Sequence, residues 1–224
     1  MPVGDGLMSK KILFVNQASY KTSDDSNVLE HRKKWIVQGL QSLKLVERHF
    51  DKCDVIFMDN TVDDITELPE EIQQNFHQSF NLVLNSSLNK FGAINSGAGN
   101  LEMIKFLIDK LDQYDFYVHH EPRTVIKNTK MFDSFFDDPR NYFRIGSCID
   151  AKDESQFWTG TYFISTKDLK HFLEWADLEK MCSDSISIEY YIKDFFDKTN
   201  TTFDFTTEAG ILWNDRGYNT NVYV

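Results

Sequence analysis

Cysteine is scarce: Cys53, Cys148 and Cys182 are the only three in 224 residues, and they are isolated and odd in number. That excludes a disulfide framework and a paired-cysteine zinc site, and it fits a reducing compartment, the cytoplasm. There is no Pro/Gly-rich linker, internal repeat or low-complexity segment, so nothing marks a domain boundary. No apolar run approaches the ~20 residues of a membrane span, and the amino terminus lacks the apolar core of a signal peptide. Residues 1–9 are therefore expected to be a disordered or artificially appended leader, and residues 10–224 a single domain. Basic residues are also few, with 24 Lys plus Arg against 35 Asp plus Glu and a net charge of -11. A phosphate backbone would be repelled, so nucleic acid is excluded as a partner. A small phosphorylated ligand is not, because a few backbone amides and one Arg can build a local anion site. The segment from Asn16 to Asn27 has no glycine, which excludes a dinucleotide fingerprint, and no P-loop occurs anywhere.

What the chain does have is aromatic residues, 19 Phe and 9 Tyr, and a regular alternation of apolar runs with amphipathic segments. Short apolar runs closed by polar residues read as buried parallel strands at Lys10–Gln17, Asp54–Asn60, Phe80–Asn85 and Asp115–His119. Helices are predicted over Val28–Phe50, from Leu68-Pro69-Glu70-Glu71 onward, and over Leu101–Leu111. A Phe/Asp-rich segment, Lys130–Asn141, then precedes strands at Phe143–Ser147 and Phe157–Ile164 and helices at Lys167–Trp175 and Ser185–Phe196. The tail from Thr202 to Val224 adds an edge strand or wraps the site. The pattern predicts an α/β domain with a mostly parallel central sheet and helices on both faces.

Five places concentrate chemistry, each with two readings. Asn95-Ser96-Gly97-Ala98-Gly99-Asn100 either cradles a nucleotide at a helix start or is a turn with an Asn cap. His119-His120-Glu121-Pro122-Arg123 ends a strand with a possible metal set and a phosphate-binding Arg, or with a Glu–Arg pair that satisfies itself. Zinc is disfavoured by the adjacent histidines. Trp158-Thr159-Gly160 lets a sugar lie against a strand, or forms a bulge in a core strand. Glu189, near a helix start capped by Asp184 or Ser185, is a base or an ordinary helix-dipole partner. Asp215 offers a further carboxylate in a turn.

In their order, these segments from Lys11 to about Ile192 resemble the GT-A (Rossmann-like) glycosyltransferases, especially small, divergent bacterial and viral members. The resemblance rests on the Ile12–Gln17 and Val55–Asn60 strands, the Asn89–Asn100 stretch, Tyr114–Arg123, Trp158-Thr159-Gly160 and Ser187-Ile188-Glu189. It implies transfer of a sugar from a nucleotide diphosphate sugar, UDP-linked, to a glycan or polysaccharide hydroxyl, of the hexosyl- or deoxyhexosyltransferase class. By the same resemblance Asn16, Gln17, Ala18, Tyr20, Asp59, Asn60, Asn95, Gly97, Gly99 and Asn100 hold the nucleotide, while His119, His120, Trp158, Thr159 and Gly160 meet donor sugar or acceptor. Glu189 is the general base, Asp184 its reserve, and Arg123 faces the leaving diphosphate. The family's Asp-any-Asp motif is replaced by His119-His120-Glu121, so the implied divalent cation, Mn2+ or Mg2+, falls to Glu121, His119 and Asp215. Stereochemistry stays open. A nucleotidyltransferase and a non-catalytic nucleotide-sugar-binding module are the alternatives.

Overall fold

The two faces of every central strand are apolar, so the sheet has to be covered on both sides. In the computed structural model, which describes residues 10–146, 153–214 and 221–223, that is what happens. In chain order the elements are β1 (Ile12–Ala18), α1 (Ser26–Ser42), β2 (Cys53–Asp59), α2 (Glu70–Gln73), β3 (Phe80–Leu84), α3 (Ser96–Phe106), α4 (Ile108–Leu111), β4 (Phe116–His120) and β5 (Thr124–Ile126). There follow α5 (Lys130–Asp137), β6 (Tyr142–Ile145), β7 (Phe157–Ser165), α6 (Thr166–Trp175), α7 (Leu178–Ser183), α8 (Ile188–Thr199), β8 (Asp204–Thr206), β9 (Ile211–Asn214) and β10 (Asn221–Tyr223). A seven-stranded sheet runs β3-β2-β1-β4-β7-β6-β8, with β1, β2, β3 and β4 parallel and β7 antiparallel to both its neighbours. A small sheet, β10-β9-β5, stands beside it.

Side chains alternate across the sheet and sort the core into two layers. Leu13, Val15, Met58, Tyr117 and Ile164 face α3, α6 and α8, whereas Ile12, Phe14, Phe57, Val118 and Phe163 face α1 and α5. Twelve of the largest side chains, ten of them Phe, are fully buried in these layers, each burial worth roughly 1.5–3 kcal/mol.

Four boundaries depart from the sequence reading. The predicted helix over 28–50 stops at Ser42 and continues as two 3-10 segments, Leu43–Leu45 and Glu47–Lys52; Ser42 Oγ turns back to Gly39 O at 2.7 Å and accepts Ile126 N at 2.9 Å. The Phe/Asp-rich segment is helical in α5, because Met131, Phe132, Phe135 and Phe136 share one buried face. α3 starts at Ser96 rather than Leu101, so the glycines lie in its first turns. α8 starts at Ile188 after Ser187, and Ser185 before it has φ 54°. The tail supplies β8 at the sheet edge, together with β9 and β10. Among the described residues no helix is long and apolar enough to cross a membrane.

Candidate active-site cleft

β1 and β4 are neighbours, yet the chain leaves β1 towards β2 on one side and returns to β4 on the other. Such a reversal separates the loops that follow the two strands and opens a crevice at their carboxyl ends. A cleft of about 850 Å³ lies there. Gln17–Ser19 form its floor, α3 and the loop before it one wall, and Arg32, Trp35 and Ile36 of α1 another. Glu121–Arg123, Thr159 and the start of α8 close the rim.

On the floor, Gln17 Nε2 donates to Asn100 O at 2.8 Å, and Asn100 Nδ2 lies 3.4 Å from His119 Nε2. Gln17 Oε1 and Asn100 Oδ1 are buried with no hydrogen-bond partner among the described residues. Buried amide oxygens left so are costly unless a ligand or water completes them. Asn60 also lines the cleft, but its side chain is a staple: it accepts Ser19 Oγ at 2.6 Å and donates to Leu88 O at 3.1 Å and Asn89 Oδ1 at 3.3 Å. Its neighbour Asp59 lies beneath the cleft and does not line it. Asp59 takes Tyr20 N at 2.8 Å, Thr61 N at 2.7 Å and Thr61 Oγ1 at 2.6 Å, so one oxygen holds the loop after β1 and the other the turn after β2. Burial raises its pKa, against those hydrogen bonds and the charge of Arg32. Asn16 and Tyr20, expected to hold the nucleotide, are likewise buried and do not line the cleft.

The glycine stretch opens α3 and lines the cleft. Asn95 Oδ1 caps α3 by accepting Gly97 N at 2.9 Å and Ala98 N at 3.1 Å, while its Nδ2 donates to Met181 O at 2.9 Å and Ile186 O at 3.0 Å. A Cβ at Gly97 would stand 2.9 Å from Ile188 Cβ, and one at Gly99 would collide with the Gly92 backbone. Both glycines, at the cleft wall, are needed for the close approach of α3 to α8 and to the loop before it.

At the end of β4 the two histidines part company, because successive side chains of a strand point to opposite faces. His119 stacks on Tyr162 with ring centroids 4.7 Å apart, on the α3 side. His120 turns to the α1 and α5 side, with Nδ1 2.8 Å from Thr161 Oγ1. Both are fully buried; burial pushes His119 down to about 4 and, aided by the charge of His119, His120 down to about 3. Trp158 also packs away from the cleft, over Gly160, where a Cβ would meet its ring. His120, Trp158 and Gly160, expected to meet donor sugar or acceptor, do not line the cleft, and Thr159 alone of that strand does.

Glu189 stands in the first turn of α8 with its carboxylate accepting Thr159 Oγ1 at 3.0 Å and Ser187 Oγ. Asp184, the reserve, is outside the cleft and paired with Lys180. Arg123 Nε donates to Glu121, a pair that lines the cleft with both side chains more than three-quarters buried. Among the described residues Lys21 and Arg32 complete its cations. Arg32 Nη1 is fixed on Ser19 O at 2.6 Å, and Lys21 Nζ stands 3.8 Å from Glu67. The sequence reading misses Lys21, Arg32 and Trp35. Lys21 follows the first strand directly, but nothing in the local sequence distinguishes the cleft-facing side of α1 from its core-facing side.

Comparison with sequence families gives no match, and neither does comparison with curated proteins. Solved structures do match. A Desulfovibrio desulfuricans G20 protein assigned as a nucleotide-diphospho-sugar transferase superposes over 89% of this chain and 80% of its own, with a TM-score of 0.55 at 9% identity. The fold is of the GT-A type. A Leptospira borgpetersenii cytidylyltransferase matches over 97% of this chain and 82% of its own (TM-score 0.50, 12% identity), and mouse xyloside xylosyltransferase 1 over 88% and 84% (0.47, 10%).

The GT-A resemblance implies a divalent cation at the end of β4, and the described residues do not fit one. His119 and His120 point to opposite faces of the sheet, and Glu121 takes Arg123. Among the described residues, no three His, Cys, Asp or Glu side chains converge as a metal site would need. Asp215 lies outside the described residues.

Proposed function

We propose that the chain is a glycosyltransferase that moves a hexosyl or deoxyhexosyl group from a UDP-linked sugar to a hydroxyl of a glycan or polysaccharide, in the cytoplasm. The observation that carries this is the meeting, in one cleft at the sheet's reversal point, of unpartnered amides, three cations and a carboxylate held by two hydroxyls. Gln17 and Asn100 receive the base and ribose, and their buried oxygens gain the partners they lack. Glu189 takes the proton of the acceptor hydroxyl as the new bond to the sugar's anomeric carbon forms. The bond from that carbon to the diphosphate breaks, and its electron pair leaves on the phosphate oxygen. A base placed for the acceptor fits inversion at that carbon.

The likeness to a cytidylyltransferase favours a second reading, nucleotidyl transfer to a sugar phosphate. The glycine-free first loop opposes it. Incubating the protein with a panel of nucleotide sugars, and separately with nucleoside triphosphates and sugar 1-phosphates, tests both. Release of a nucleoside diphosphate is expected; release of pyrophosphate instead would establish the second reading, and neither would leave a binding module.

A further inference from the structure

We infer that the cleft binds the donor diphosphate without a metal ion, through Lys21, Arg32 and Arg123. This rests on the nucleotide-sugar reading above and specifies how that site carries the charge of its ligand.

A nucleotide sugar brings a diphosphate, and the leaving group gains one further negative charge as the glycosidic bond breaks, so a cation has to face it. In a chain of net charge -11 a cation-lined cleft is not expected by chance. Among the described residues this one nonetheless sets three cations against two acids, Glu121 and Glu189. The cations come from three separate elements: the loop after β1, α1, and the turn between β4 and β5. Two are held in place, Arg32 by Ser19 O and Arg123 by Glu121, which acts as a positioning residue. A guanidinium fixed in this way offers a planar fork suited to phosphate oxygens. Lys21 is half exposed and only loosely paired with Glu67 at 3.8 Å, a kind of pair that holds its lysine weakly. It is therefore able to turn onto an anion in the cleft. The position where a chelating pair of acids would sit is filled instead by two histidines buried on opposite faces, which no single ion could bridge.

Isothermal titration of the full chain with UDP, once in EDTA and once in Mn2+, tests this, with CDP and GDP as parallel probes. Equal affinity within about twofold is expected in the two buffers. Lys21→Ala, a surface change that should not disturb folding, is expected to weaken UDP binding about tenfold in EDTA. Arg123→Lys, which keeps the charge but loses the fork, is expected to weaken it by a smaller factor. Binding that appears only with Mn2+, or an unaltered affinity in Lys21→Ala, overturns the inference and leaves the transferase reading standing. Failure of all three nucleotides to bind in either buffer overturns both.

Discussion

At the scale of the residue, what a side chain does is decided by which way its backbone aims it. Glu189 is aimed into the cleft and steadied by Thr159 and Ser187, so Glu189→Gln is expected to lower transfer ~10²–10⁴-fold while UDP affinity stays within about twofold. Steady-state transfer rates set beside calorimetric affinities check this; equal losses in both would mark a structural carboxylate. Glu121→Ala is expected to abolish donor turnover with the fold intact by circular dichroism, since Arg123 loses the partner that orients it. Unchanged turnover would remove the Glu121–Arg123 pair from the mechanism. That Glu121, Arg123 and Glu189 lie at one cleft was legible because strand ends and helix starts are recognisable in sequence. The roles of Asp59, His120 and Trp158 were not. Whether a strand-end residue faces the cleft or the layer beneath depends on a one-residue difference in register, and side-chain periodicity resolves that only where both neighbours are apolar.

At the scale of the element, Asn95 joins three pieces of chain: it caps α3 and donates to Met181 O in α7 and to Ile186 O in the turn before α8. Asn95→Ala removes the cap and leaves two carbonyls short of a donor. It is expected to cost about 1–3 kcal/mol in urea unfolding and to weaken nucleotide binding through the displaced wall. A loss below a few tenths of a kcal/mol would show that the α3–α8 junction holds without it. Most strands and helices were legible from apolar spacing. The exceptions share a cause. α1 ends early because Ser42 meets β5, and α8 starts late because the 183–187 turn is tied to Asn95, contacts between residues far apart in sequence. α5 was obscured because acids and phenylalanines are interleaved in it at a spacing that suits either a loop or a helix face.

At the scale of the molecule, the two buried histidines link stability to pH. Their pKa values of about 4 and about 3 lie below the ordinary 6.5, so below pH 6.5 the unfolded chain binds protons that the folded chain refuses. Stability is full above 6.5 and falls as the pH drops towards 4, by at most roughly 1.4 kcal/mol per pH unit for each histidine. The raised pKa of Asp59 acts in the opposite sense above 3.8 and offsets part of this. Urea unfolding at pH 7 and at pH 5 checks the sign, and equal or greater stability at pH 5 would contradict it. The α/β class and a sheet covered on both faces were legible from apolar runs alternating with amphipathic segments. The antiparallel entry of β7 and the second sheet were not, since strand direction and pairing over long separations leave no local pattern. A nucleoside diphosphate is expected to lie in the cleft at the carboxyl ends of β1 and β4. A crystal structure of the protein soaked with UDP measures this directly: the base is expected against Gln17 and Asn100 and the diphosphate among Lys21, Arg32 and Arg123. Density for UDP at the opposite end of the sheet would contradict it.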